Sequence, residues 1–148
     1  MSPAEAMQTL DPALAQQILE RIRQIPIFDA IGVQIERFAP GECVATVPRN
    51  PAYDGIFESF HGGLLMTVAD TIACFAIMTQ TGPDEVLTTT DMNIRFLGPC
   101  LTAVTAHARV IKLGRSLCPV AVDLLDASGK PVAVAQVCYM RLPKMPSR

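Results

Sequence analysis

His61, Gly62 and Gly63 stand at the head of an apolar run that continues to Met78 and contains one acid, Asp70. A carboxylate among apolar residues costs free energy unless it is paired or used. A histidine followed by two glycines suits the start of a helix, where N–H groups are free and carry partial positive charge. Glycine removes the side chain that would keep a ligand away from that backbone. Such N–H donors polarise a carbonyl oxygen. The same glycines equally permit close packing of helix on sheet. Asp70 equally suits a structural carboxylate bonded to Thr67, Thr71 or backbone.

The spacing adds a condition. Asp70 follows His61 by nine residues, about 13 Å and about two and a half turns of helix. The two side chains therefore lie on opposite faces and cannot meet within one helix. If they share a site, the second group comes from another copy of the chain. A two-fold dimer with antiparallel central helices supplies it and creates two equal sites.

These residues need a scaffold. Asp11 and Pro12 suit the start of a helix, and Leu14, Ile18, Ile22 and Ile25 recur at helical spacing until Pro26. Ile31, Val33 and Ile35 then alternate with Gln34 and Glu36, Pro40-Gly41 marks a turn, and Cys43 to Val47 resumes, so a hairpin is expected. Arg49 to Phe60 reads as a loop. Gly62 to about Gln80 reads as a helix apolar nearly all round, hence buried. Strands are expected over Glu85–Leu97, Thr102–Leu113, Ser116–Leu125 and Pro131–Leu142, the last two joined by a turn at "DASGK". His107 is expected on a strand surface. Helices and strands are segregated, which predicts an α+β fold with a mostly antiparallel sheet wrapped around the central helix.

Composition narrows the function. The 148 residues fit one domain; half are hydrophobic and 5% aromatic, so the core is largely aliphatic. A net charge of -2 without a basic block gives nucleic-acid binding no electrostatic support. The start of the chain lacks the pattern of a secretory signal. The central apolar run, interrupted by Asp70, reads as too short for a membrane span. Five dispersed cysteines without a C-x-x-C pair read as buried thiols of a cytoplasmic protein. No cluster has metal-ligand spacing, and no cofactor is expected.

"FHGGLLMTVADTIACFAIM" followed by "LTTTDMNIRFLGPC" resembles the hotdog-fold thioesterases of the PaaI-like (phenylacetate-pathway) family. The second stretch carries the T-x-D-x-N-x-x-F-L-x-P pattern at Thr89, Asp91, Asn93, Phe96, Leu97 and Pro99. The resemblance spans about Phe28 to Leu142, so residues 1–26 form an added N-terminal helix and 27–142 the hotdog core of a single domain. It implies hydrolysis of acyl-CoA thioesters, aryl or medium-chain. Gly62 or Gly63 would polarise the carbonyl. Asp70 of a partner subunit would be general base or nucleophile. His61 would orient the loop or hydrogen-bond near the thioester, and Thr89 would help hold the water. A homodimer with shared sites, assembled further into a tetramer, is expected.

One feature departs from the family. Many relatives carry asparagine six residues before the histidine, where this chain has Gly55. Asn50, Asp54 or Glu58 stands in for it, and Glu58 is a candidate second acid or a solvated loop residue. Lys112 and Arg115 are candidates for the CoA phosphates, since guanidinium donates in a planar fork. Phe60 and Met66, with Phe57, are candidates for an acyl pocket or for the core. Two other readings keep the fold: a dehydratase or hydratase using histidine and carboxylate, and a non-catalytic acyl-CoA-binding protein.

Overall fold

The computed structural model describes residues 9–143, so the first eight residues of the expected N-terminal segment lie outside the described residues. Asp11 caps helix α1 (Pro12–Arg23), accepting from Ala13 N–H at 3.4 Å. Pro26 does not simply end this segment. It opens a second short helix, α2 (Pro26–Ile31), because proline fits the first helical position, where no N–H partner is needed. Ile31 is therefore helical rather than the first residue of a strand. Gly32, at φ 77°, ends α2 in the left-handed conformation that glycine tolerates.

Strands β1 (Gln34–Ala39) and β2 (Glu42–Val47) form the expected hairpin, with an irregularity between Ile35 and Arg37 that breaks strict alternation. Helix α3 (Gly62–Thr81) follows, and then β3 (Leu87–Phe96), β4 (Val104–Val110), β5 (Leu117–Leu125) and β6 (Pro131–Arg141). One six-stranded sheet results, in the order β1-β2-β4-β5-β6-β3, antiparallel at every pairing. This is the expected α+β hotdog arrangement. The sheet packs its inner face on α3, and α1 lies against the same helix.

The core follows from period-two alternation meeting an all-round apolar helix. Cys43, Ala45 and Val47 of β2, Val104, Ala106 and Ala108 of β4, and Val120, Val122 and Leu124 of β5 are buried toward α3. Helix α3 answers with Val68, Ile72, Ala73, Ala76 and Ile77, all fully buried. By length and hydropathy α3 is sufficient for a membrane span, contrary to the length argument from sequence; what identifies it as a core helix is that most of it is buried inside the fold. Helix α2 is pinned to it by Phe28 against Phe75, ring centroids 5.1 Å apart and edge-to-face. His107 is half-buried rather than a plain surface residue, and its Nε2 is buried without a partner among the described residues.

Candidate active site

Asp70 lies in the middle of α3, half-buried, on the side facing β3 and β6. Thr89 Oγ1 donates to its Oδ1 at 2.7 Å. Tyr139 OH donates to the same oxygen at 2.7 Å and reaches the Asp70 main-chain carbonyl at the same distance. The single phenolic proton is shared between these two acceptors. The carboxylate plane is thus fixed from two strands, while Oδ2 makes no hydrogen bond among the described residues. Burial, then the charges of Cys74 and Asp70, push the Tyr139 phenol above its ordinary value, so it remains a donor at physiological pH. One turn beyond Asp70, burial and next the Asp70 charge push the Cys74 thiol up to about 11.

A bulge decides which threonine faces the acid. Thr89 pairs with Tyr139 and Asp91 with Cys138, so Thr90 is the extra residue. Thr90 turns its hydroxyl to the Cys138 carbonyl at 3.1 Å. The bulge lets Thr89 and Met92, three residues apart, both face inward.

At the other end of this stretch, His61 caps α3. Its Nδ1 accepts from Gly63 N–H at 2.9 Å. An accepting Nδ1 leaves Nε2 as the protonated, donating nitrogen of the neutral ring. Of the two glycines, Gly63 thus has its N–H engaged, and Gly62 N–H, first in the helix, has no intrahelical partner. A Cβ at Gly62 would stand 3.3 Å from the Phe96 ring, and one at Gly63 would stand 3.2 Å from the His61 ring. The glycines therefore serve close packing as well as open backbone.

A cleft of about 560 Å³ opens beside Asp70. It runs along α3 past Cys74 and Met78, with α1 and α2 as the opposite wall and the start of β3 as its side. That volume is in the range of small-molecule sites.

The remaining candidates are dispersed. Asn50 caps a 3-10 turn (Pro51–Tyr53), its Oδ1 accepting from Ala52 N–H at 3.0 Å. Asp54 is held by a two-pronged ion pair with Arg49, which holds the carboxyl below its usual range. Arg49 also donates to the carbonyls of Leu101 and Glu58, so one guanidinium organises the whole loop. Glu58 has φ 56°, the left-handed region, at the tip that exposes Ile56 and Phe57. Phe60 is 5% exposed and belongs to the core, away from the Asp70 cleft. Met66 sits one turn before Asp70, half-buried, and does not line the cleft. Lys112 and Arg115 are exposed on the β4–β5 turn. Arg141 ties that turn to the cleft rim, donating to Gly114 carbonyl at 3.0 Å and pairing with Glu85. The sequence reading missed Tyr139 and Cys74. Cys74 had a signal, four residues after Asp70 on one helix face; Tyr139 had none.

The fold is shared with known proteins. The chain is 28% identical over 126 residues to acyl-coenzyme A thioesterase 13 of Mus musculus, covering 80% of this chain and 87% of that protein. The E. coli PaaI protein from the phenylacetic acid degradation operon superposes with a TM-score of 0.83 at 22% identity, covering 94% of this chain and all of that one. A thioesterase family protein of Silicibacter pomeroyi superposes with a TM-score of 0.81 at 21% identity, covering 88% and 99%. The structural matches establish the hotdog fold of the PaaI-like thioesterases. A family model described as "Domain of unknown function (DUF4442)" matches residues 16–140, and the chain belongs to that family.

Proposed function

We propose that the protein hydrolyses acyl-CoA thioesters, aryl or medium-chain, to the free acid and CoA. The observation that carries this reading is the Asp70 carboxylate, oriented by two hydroxyls on one oxygen with the other free beside a largely apolar cleft. The mouse relative is named for the same reaction class. Gly62 N–H of one subunit polarises the thioester carbonyl, and Asp70 of its partner takes a proton from water as the oxygen adds to the carbonyl carbon. The tetrahedral adduct collapses with cleavage of the C–S bond, and the departing CoA thiolate receives the proton. A thiolate is a good leaving group, so one weak base suffices. In the nucleophilic variant Asp70 itself adds, the C–S bond breaks to release the CoA thiolate and leave an acyl-Asp70 anhydride, and water hydrolyses that anhydride to the free acid and the Asp70 carboxylate, its proton going to the thiolate. His61 sets the helix start, Thr89 and Tyr139 orient Asp70, and Lys112 and Arg115 face the CoA phosphates.

The dimer reading rests on two observations. His61 and Asp70 occupy opposite faces of α3, and β3 is an edge strand with an unpaired side and mostly exposed residues. Pairs of dimers form a tetramer in the same reading, and the compartment is the cytoplasm. The deciding experiment is thiol release from a panel of acyl-CoAs by wild type and Asp70→Asn. A loss of about a hundredfold or more in the variant is expected. Equal rates in both proteins, hydration of an enoyl-CoA, or binding without turnover would replace this reading with the structural, hydratase or binding-protein alternatives.

A further inference from the structure

The cleft beside Asp70 has a length and a composition that select among substrates. Its α3 wall runs from Asp70 through Cys74 to Met78, eight residues or about 12 Å of helix. Its opposite wall is Ile22, Ile25 and Phe28, from the N-terminal helices. The lining also carries the charged residues Arg21, Asp84 and Glu85, and Arg21 and Asp84 border a second cleft together with Pro83, just past the end of α3. A methyl terminus pushed that far would desolvate charge rather than bury apolar surface. An extended chain advances about 3.5 Å per three bonds, so a 12 Å path holds about ten carbons.

We infer that the acyl chain lies in this cleft, between α3 and the α1–α2 pair, and that the charged rim beyond Met78 sets its length limit at about ten carbons. This rests on the thioesterase reading for the reaction, but the pocket itself is testable without turnover. The N-terminal helices become one wall of the substrate site, so they set specificity. Cys74 sits about halfway along, about 6 Å of helix from Asp70. Its raised thiol makes it a neutral lining group rather than a nucleophile.

The probe is a series of S-alkyl-CoA thioethers, which lack the hydrolysable carbonyl, titrated against wild type, Cys74→Phe and Ile25→Phe by calorimetry. The two variants fill the cleft from opposite walls, so one suffices if the other fails to fold. Wild-type affinity is expected to rise roughly fourfold per added methylene, level off near ten carbons, and stop gaining with longer chains. Cys74→Phe is expected to stop gaining at about five carbons, and either variant to lose at least tenfold in decyl-CoA affinity relative to butyl-CoA. A wild-type affinity that does not depend on chain length, or variants with the wild-type profile, would overturn the pocket. Thiol release measured in parallel separates the two levels. Turnover without the chain-length signature leaves the thioesterase and removes this pocket; the signature without turnover does the reverse.

Discussion

Tyr139→Phe removes one oxygen atom and leaves the ring that packs, 5% exposed, against the core. Among the described residues, the lost hydroxyl is the only donor that reaches both the side chain and the main chain of Asp70, at 2.7 Å each. Hydrogen bonds to charged groups contribute about 1.5–3 kcal/mol, so kcat/KM for a thioester should fall roughly 10- to 150-fold. Thr89→Ala removes the other donor to the same oxygen and should cost a similar factor. Because both donors hold one oxygen, the double variant should depart from the product of the single losses by at least threefold, roughly 0.6 kcal/mol of coupling. The assay is steady-state thiol release with folded-state controls by circular dichroism. A merely structural Tyr139 would lower thermal stability and leave kcat untouched. If Tyr139→Phe keeps full kcat while Asp70→Asn is inert, the claim that the phenol positions the acid is refuted.

His61→Ala removes the cap on α3 and should lower stability by about 1 kcal/mol, about 3 °C in Tm for a chain of this size; an unchanged melting curve would mean that the His61–Gly63 bond contributes nothing. The Cys74 thiol, pushed up to about 11, should be thiolate in about one molecule per thousand at pH 8. Iodoacetamide followed by mass spectrometry should leave it unlabelled under native conditions, and fast labelling would contradict the assignment. Asp54 titrates below its ordinary 3.8 because Arg49 bonds it. A depressed carboxyl stabilises the fold above its unfolded value, and that contribution is lost as pH falls through the folded one. The Arg49 side-chain NMR signal should therefore stay constant from pH 7 down to about 4 and move only below it; movement at pH 5 would show that the pair is not formed.

Much of the site was legible because its information is local. The nine-residue separation of His61 and Asp70 is a statement about one helix, and 3.6 residues per turn puts them on opposite faces whatever surrounds them. The all-round apolar character of α3 announced a buried helix, and alternation marked the strands that cover it. Proline was ambiguous for a local reason too. Pro26 can follow one helix or open the next, and the short α2 carries little periodicity to decide between them. Phe60 was ambiguous because a large apolar side chain suits a pocket and a core equally, and only its contacts place it in the core.

What the amino-acid order alone determined, then, was the presence of the central helix, its glycine start, its single acid and the placement of that acid on the face opposite His61. Tertiary structure decided which groups hold that acid. Tyr139 lies sixty-nine residues from Asp70, and it arrives through the pairing of β6 with β3. Thr89 rather than Thr88 or Thr90 faces the carboxylate because a bulge resets the register at one residue. The cleft exists because α1 and α2 fold back along α3. Register and helix docking are set by summed non-local packing, in which no single residue carries a readable signature.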